Sequence, residues 1–503
     1  MVVRSALVSG TLGSRTRIGS LLVAGLCLGL AAALAPVALL VGAAAGVALV
    51  AASLAEPLVG LGAALVVGPF RAWLEIASPG IAPYAGQMVL ALVLIAWGVR
   101  AVWMHESVLI VPPLTWTIGG FLLVGLLSLL QPADLWVGFL EWVKWVQILL
   151  VMLCAYDRMA KAGDRGVIIT VSGLAVAGLV QALIGLWQFG LRGEGVEQFS
   201  IGAGLYRAYG TFQQPNPYAG MLGLVGALLT GAGMATAIDW WRRGRRLRDL
   251  TTAAVAILPG ILTVAGLGAS WSRGGWMGFG AAVLAMIVLL PRRGAWGAVL
   301  VFAALLAGVG LYATGRLPAP IVARLTGFLA YARFQDVRGA GVTDATFAVM
   351  ERMAHWQAAL TMWREHFWLG VGLGCYEPAY PGYRLLNWKL PLGHAHNAYL
   401  NMAAEVGLIG LVAYIVWAGA LLVGAVIAVW RLEGWQRGLA LGLVGAWIHL
   451  AAHSLVDNLL VNGVHLHVGV LAALTAYVFA AATVRVSDAR HSDAQGPAEG
   501  IGR

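Results

Sequence analysis

Two histidines one residue apart, His394 and His396, open the stretch GHAHNAYLNMAAEVGLIGL at positions 393–411. Asn397 and Tyr399 follow, after which the chain turns apolar and reads as one unbroken helix entering a membrane. Titratable groups therefore sit at the mouth of an apolar span. An imidazole there can meet a water-soluble hydroxyl and a lipid headgroup at one depth, and near neutral pH it can accept a proton. Two arginines occupy similar settings. Arg207 lies in YRAYGTFQQPNPYAG (206–220) just before a span, and Arg273 in SWSRGGWMG (270–278), a very short turn between two apolar stretches. An arginine at that depth is costly unless it faces a partner or a cavity. Guanidinium forks suit the oxygens of a diphosphate, so these arginines and an imidazole suggest transfer from a diphosphate leaving group. Ordinary roles remain open for each: an arginine can snorkel to headgroups, and a histidine can be a satisfied interfacial side chain.

The elements that must hold these residues are membrane helices. The chain has 503 residues, 60% hydrophobic and 11% charged, with a mean hydropathy of +0.83. No soluble core needs so much apolar sequence. The net charge of +10 does not indicate nucleic acid, because the basic residues fall in short runs between apolar spans, as the positive-inside rule expects. Cys27, Cys154 and Cys375 have neither paired nor metal-ligand spacing, so no disulfide framework or zinc site is expected.

Three short spans fit between Ile18 and Phe70, the first an uncleaved helix and the third, after Pro57, poorly defined. Further spans are expected near 84–103, 108–130, 134–155, 166–190, 217–237, 252–270, 274–290, 294–314, 399–430, 438–458 and 460–483, about 12–14 in all. The basic segments 156–165, 240–249, 291–293 and 431–437 should be cytoplasmic loops, which puts 191–216, 271–274 and 315–398 together on the outer face. The chain then divides into N-terminal transmembrane helices (1–314), a long extracytoplasmic loop (315–398), C-terminal transmembrane helices (399–486) and a disordered cytoplasmic tail (487–503).

Within the long loop, Thr343 or Asp344 can cap a helix running to about Trp368, with Met350, Met353, Trp356, Leu360, Trp363 and Phe367 on one face. It either lies on the bilayer beside a lipid substrate or packs on the bundle. Arg352, on this helix, is a candidate headgroup or substrate contact. GVGLG (370–374) lacks the strand and the Lys-Ser/Thr of a phosphate loop and reads as a turn. His453 and Asp457, four apart in HLAAHSLVDN, form either a proton path or a structural pair on one helical face. Glu405 is expected to pair with another helix. The outer segments lack the clustered carboxylates that would hold Mg²⁺ or Mn²⁺.

The segments RAYGTFQQPNPYAG, SWSRGGWMG, ERMAHWQAALTMWREHFWLGVGLG and HAHNAYLNMAAEVGLIGL, in that order, resemble the O-antigen ligase and polymerase superfamily. HSLVDN is a weaker match, and Trp368 departs from the proline the family often has before the GVG turn. The resemblance implies an all-α, membrane-embedded glycosyltransferase of the GT-C class in the bacterial inner membrane, metal-independent and inverting. Its donor would be an undecaprenyl-diphosphate-linked oligosaccharide, and its acceptor a hydroxyl of a glycan or lipid. Carried over by motif, Arg207 and Arg273 would hold the carrier diphosphate and His396 would activate the acceptor. His394, Arg352, Asn397 and Tyr399 are further candidates for substrate contact. No cofactor is implied. A protein O-oligosaccharyltransferase, or a polysaccharide flippase of a different class altogether, are the alternatives; transporters usually show two related halves with broken helices near the midplane.

Overall fold

The computed structural model describes residues 37–80, 84–106, 109–242, 247–326, 336–339, 341 and 343–494. The expected first helix, Cys27 and the end of the tail lie outside these. The chain is an all-α, multi-pass bundle. Its helices are α1 (Val37–Ala55), α2 (Pro57–Val67), α3 (Arg71–Ala77), α4 (Ala85–Trp103), α5 (Thr115–Ser128), α6 (Leu135–Ala162) and α7 (Asp164–Gly190). A short hairpin of β1 (Ser200–Gly202) and β2 (Leu205–Tyr206) precedes α8 (Pro215–Arg242), α9 (Leu247–Ala269), α10 (Arg273–Leu289), α11 (Gly294–Ala313) and α12 (Ala319–Thr326). The chain ends with α13 (Asp344–Glu365), α14 (Tyr376–Tyr383), α15 (Ala398–Arg431), α16 (Gly434–His453) and α17 (Val464–Ala494).

Among the described residues, eight stretches are long and apolar enough to cross a membrane, and four apolar helices are shorter. The third expected span is well formed: α2 and α3 join through a 3₁₀ turn into one 21-residue stretch, Pro57–Ala77. The expected span at 108–130 contracts to the 14 residues of α5. α16 carries Gln436, Arg437, His449 and His453, which its packing between α8, α10 and α15 accommodates. Close approach of α8 and α16 depends on glycine: a Cβ on Gly231 would stand 2.2 Å from the Gly442 nitrogen. α11 is the reverse, with only 6% of its apolar window buried.

Three sequence expectations change. The segment 156–165 is no loop, since α6 runs to Ala162 and α7 begins at Asp164 around Gly163 at φ 61°. Three of its charges are paired: Arg158 donates to Glu56 (3.2 Å) and Glu106 (2.7 Å), and Lys161 lies 2.9 Å from Asp157. α17 continues past Ser487 to Ala494, so the last helix is longer than the expected span. The stretch after His396 is not one helix. Gly407, at φ 65°, breaks α15, and Leu408 and Ile409 donate to the carbonyls of Phe367 and Trp368.

That break receives the GVGLG turn. Gly370, Gly372 and Gly374 all have positive φ, and Val371 and Gly372 donate to the carbonyls of Ala404 and Glu405. A Cβ on Gly407 would come within 2.2 Å of the Trp368 carbonyl carbon, so only glycine permits this approach. Glu405 pairs with another helix, as expected, accepting from the backbone N–H of Tyr376, the first residue of α14, at 3.3 Å. α13 stops at Glu365, is capped by Thr343 and Thr346, and packs on α15. Its buried face is Met350, Met353, Ala354, His355, Ala358, Ala359 and Met362. Met350 and Met353 are buried as expected, but alanines supply most of the rest and let the helix approach, while Trp356, Leu360 and Trp363 remain half-buried and Phe367 is exposed beyond the helix end.

Candidate functional site

At one end of the bundle, the chain before α8, the α9–α10 turn, α12, α13 and the chain after α16 surround a cavity of about 320 Å³. Four arginines line it, Arg207, Arg273, Arg324 and Arg352, with Asn216, His453 and Asp457 as the other polar groups. Gly274, Met277, Met353, Trp356 and Val456 supply apolar walls.

Each arginine is held from its backbone outward. Gln188 of α7 clamps the loop before α8, accepting from the N–H groups of Tyr209 (3.1 Å) and Gly210 (2.7 Å) and donating to the Gly210 carbonyl (2.9 Å). Arg207 then donates through Nε to the Ser270 carbonyl (3.0 Å) and through Nη2 to Asn216 Oδ1 (3.4 Å). Ser272 also donates to Asn216 Oδ1 (2.9 Å) and caps α10 by accepting from Gly275 N–H (3.2 Å). Arg273 is thereby the first residue of α10, in a turn so tight that Trp271 has φ 50°. Arg324 donates twice to the Trp271 carbonyl (3.1 and 2.8 Å), and Arg352 to the Ala348 carbonyl (3.0 Å).

Burial, then the charges of Arg324, Arg273 and Arg352, pull the Arg207 guanidinium down to about 9. Burial, then Arg273 and Arg352, pull Arg324 down to about 10. The guanidiniums repel one another in a partly desolvated space, and an anion among them would relieve that cost.

His394 and His396 do not line this cavity. They reach it through Asp457, whose Oδ1 lies 3.4 Å from His396 Nδ1 and 3.8 Å from His394 Nε2. Asp457 belongs to these imidazoles and not to His453 as a helical neighbour, because α16 ends at His453 and the chain there leaves the helix. Burial pushes the Asp457 carboxyl up, but the hydrogen bond from His396 and the nearby imidazoles outweigh it, and the net direction is down. His394 is pulled down to about 4 by burial against the pull of Asp457, so it is neutral near pH 7, and its Nδ1 accepts the His396 backbone N–H at 3.1 Å. That bond helps hold His396 at φ 52°, a left-handed conformation costing about 1 kcal/mol or more outside glycine. With Nδ1–H directed to Asp457, His396 Nε2 is the acceptor. It is buried without a partner among the described residues.

Asn397 and Tyr399 direct their polar atoms to the protein. Asn397 caps α15 by accepting from Tyr399 and Leu400 N–H (both 3.0 Å) and donates to the Leu455 carbonyl, while the Tyr399 hydroxyl donates to the Ala451 carbonyl. Both tie α15 to the end of α16.

Sequence reasoning passed over Arg324 and His355. Arg324 lies in a stretch with no motif, 51 positions from Arg273 by number, and only the fold brings it to the turn. His355 was visible in ERMAHW; its Nδ1 pairs with the Tyr376 hydroxyl at 2.8 Å and its ring lies 5.8 Å from that of His396. The His394, His396 and Asp457 ligand atoms lie within 4.8 Å of one another, so this trio could hold a metal ion that sequence spacing did not suggest.

The family model described as O-antigen ligase matches residues 258–415. That stretch is similar to the O-antigen ligase family. It supplies Arg273, Arg324, Arg352, His394 and His396, whereas Arg207, His453 and Asp457 are added by flanking helices and loops. No curated protein matches the chain.

Proposed function

We propose that the protein is a glycosyltransferase of the bacterial inner membrane, moving a glycan from undecaprenyl diphosphate to an acceptor hydroxyl at the outer face. The observation that carries this reading is the cavity lined by four arginines beside an Asp457–His396 pair, at the end of a membrane bundle containing a stretch similar to the O-antigen ligase family. A carrier diphosphate fits among the guanidiniums, with Met277 and Val456 among the apolar walls.

The acceptor enters from the His396 side. Its hydroxyl oxygen attacks the anomeric carbon opposite the diphosphate, its proton passes to His396 Nε2, and the bond from carbon to phosphate oxygen breaks with its electron pair on that oxygen. Attack from the far face inverts the anomeric centre. Asp457 fixes the imidazole tautomer and favours the imidazolium as it forms, and Arg273 and Arg207 stabilise the charge growing on the phosphate. A metal on the His394, His396 and Asp457 trio would occupy the base, so transfer is metal-independent in this reading. Ligation to a lipid-anchored core and polymerisation of a surface polysaccharide both satisfy the chemistry. The test is turnover of an undecaprenyl-diphosphate-linked oligosaccharide by detergent-purified protein. Release of undecaprenyl diphosphate together with a new glycan product is expected, and movement of the intact lipid without bond cleavage would mean transport.

A further inference from the structure

His453 closes α16 and lines the arginine cavity beside Gly274, Val456 and Asp457. It is 1% exposed, yet neither ring nitrogen has a hydrogen-bond partner among the described residues. Leaving such a group unpaired is destabilising, which a sequence tolerates where a ligand supplies the partner. The seat is shaped for the ring. A Cβ on Gly274 would come within 2.7 Å of His453 Cδ2, and one on Gly278 within 3.1 Å of its Cβ. Both glycines belong to α10, whose first residue is Arg273. The groups facing the ring are the His449 imidazole, 5.4 Å away between centroids, and the charges of Asp457 and Arg352; none of them hydrogen-bonds it.

We infer that His453 is a contact residue for the carrier diphosphate: one ring N–H donates to a phosphoryl oxygen held among the arginines. The inference rests on the glycosyl-transfer reading and adds a fifth donor side chain to that site. A phosphate fits better than a sugar hydroxyl because the surrounding charge is cationic, and because the carboxylate that would orient a base already serves His396. No proton leaves His453. When the anomeric bond breaks, the electron pair stays on the phosphate oxygen and the acceptor proton goes to His396, while the His453 hydrogen bond strengthens with the growing charge.

The test is direct binding of undecaprenyl diphosphate to the detergent-purified full chain, read by tryptophan fluorescence and separately from turnover, for wild type, His453→Leu and His453→Gln. His453→Leu should weaken binding about tenfold or more, the usual scale for a lost hydrogen bond to a charged group. His453→Gln keeps an N–H and should stay within about threefold of wild type. Excess phosphatidylglycerol should not displace the diphosphate lipid. Unchanged affinity in His453→Leu overturns the contact, as does displacement by phosphatidylglycerol. Should His453→Leu not fold, His453→Gln decides, and a tenfold loss in that folded variant overturns it. Wild-type binding that depends on His453 without any glycan transfer would keep the contact and sink the transferase reading instead.

Discussion

At the scale of single residues, the site separates charge from proton transfer. Arg207, Arg273, Arg324 and Arg352 face the cavity, and His396 stands behind Asp457. His396→Ala should therefore lower turnover by about 10²–10⁴-fold while carrier binding persists, the usual range for losing a general base. His394→Ala should be milder, and the reverse ranking would move the base to His394. The role of Asp457 has its own signature. Its carboxyl is held below its ordinary range, so it is ionised across the working range and can accept from His396 Nδ1. Asp457→Asn takes that anionic acceptor from the ring, so turnover should fall about tenfold or more; unchanged turnover would disconnect Asp457 from the base. Short motifs made Arg207, Arg273 and His396 legible, because each carries a polar group in an apolar setting. Asp457 was legible as a residue but not as a partner, since the sequence offered His453 at helical spacing and gave no sign that the helix stops there.

At the scale of elements, the break in α15 positions the histidines. Gly407 lets the GVGLG turn dock on the carbonyls of Ala404 and Glu405, and α13 then packs over α15 to bring Arg352 and His355 into place. Gly407→Ala meets both a positive φ and backbone 2.2 Å from its Cβ, so a loss of at least about 2 kcal/mol is expected. Thermal unfolding in detergent measures this, and a melting temperature equal to wild type would show that the turn does not depend on the break. Helix identity was readable from apolar length. The break was not, since a single Gly within an apolar run looks like any other membrane glycine, and its partner lies more than thirty positions upstream by number.

At the scale of the whole molecule, the helices share one alternation. The segments 191–216 and 271–274 and the described residues of 315–398 contribute to one end, and the basic groups Arg158, Arg292 and Arg437 lie at the other, where Arg437 donates to the Leu289 and Leu290 carbonyls and Arg292 pairs with Glu433. The native Cys154 and Cys375 are buried. With Cys27 replaced by serine, Leu386→Cys, at a site 89% exposed, should react with an impermeant thiol reagent from outside, and Arg293→Cys only after the membrane is opened. Labelling of both from one side would remove the shared outer face that the chemistry needs. Charge patterning made this alternation legible along the chain, while the convergence of α8, α10, α13 and the end of α16 on one cavity depended on glycine contacts with no pattern of their own.

The most direct measurement is turnover of one undecaprenyl-diphosphate-linked donor by wild type, Arg273→Lys and Arg273→Ala, each with EDTA and with added Mg²⁺ or Zn²⁺. Lysine keeps the charge but loses the two-pronged contact, so Arg273→Lys should fall more than about tenfold and alanine further. Wild type should work undiminished in EDTA. Loss of wild-type turnover in EDTA, restored by either metal, would contradict guanidinium catalysis and point to a cation held by His394, His396 and Asp457.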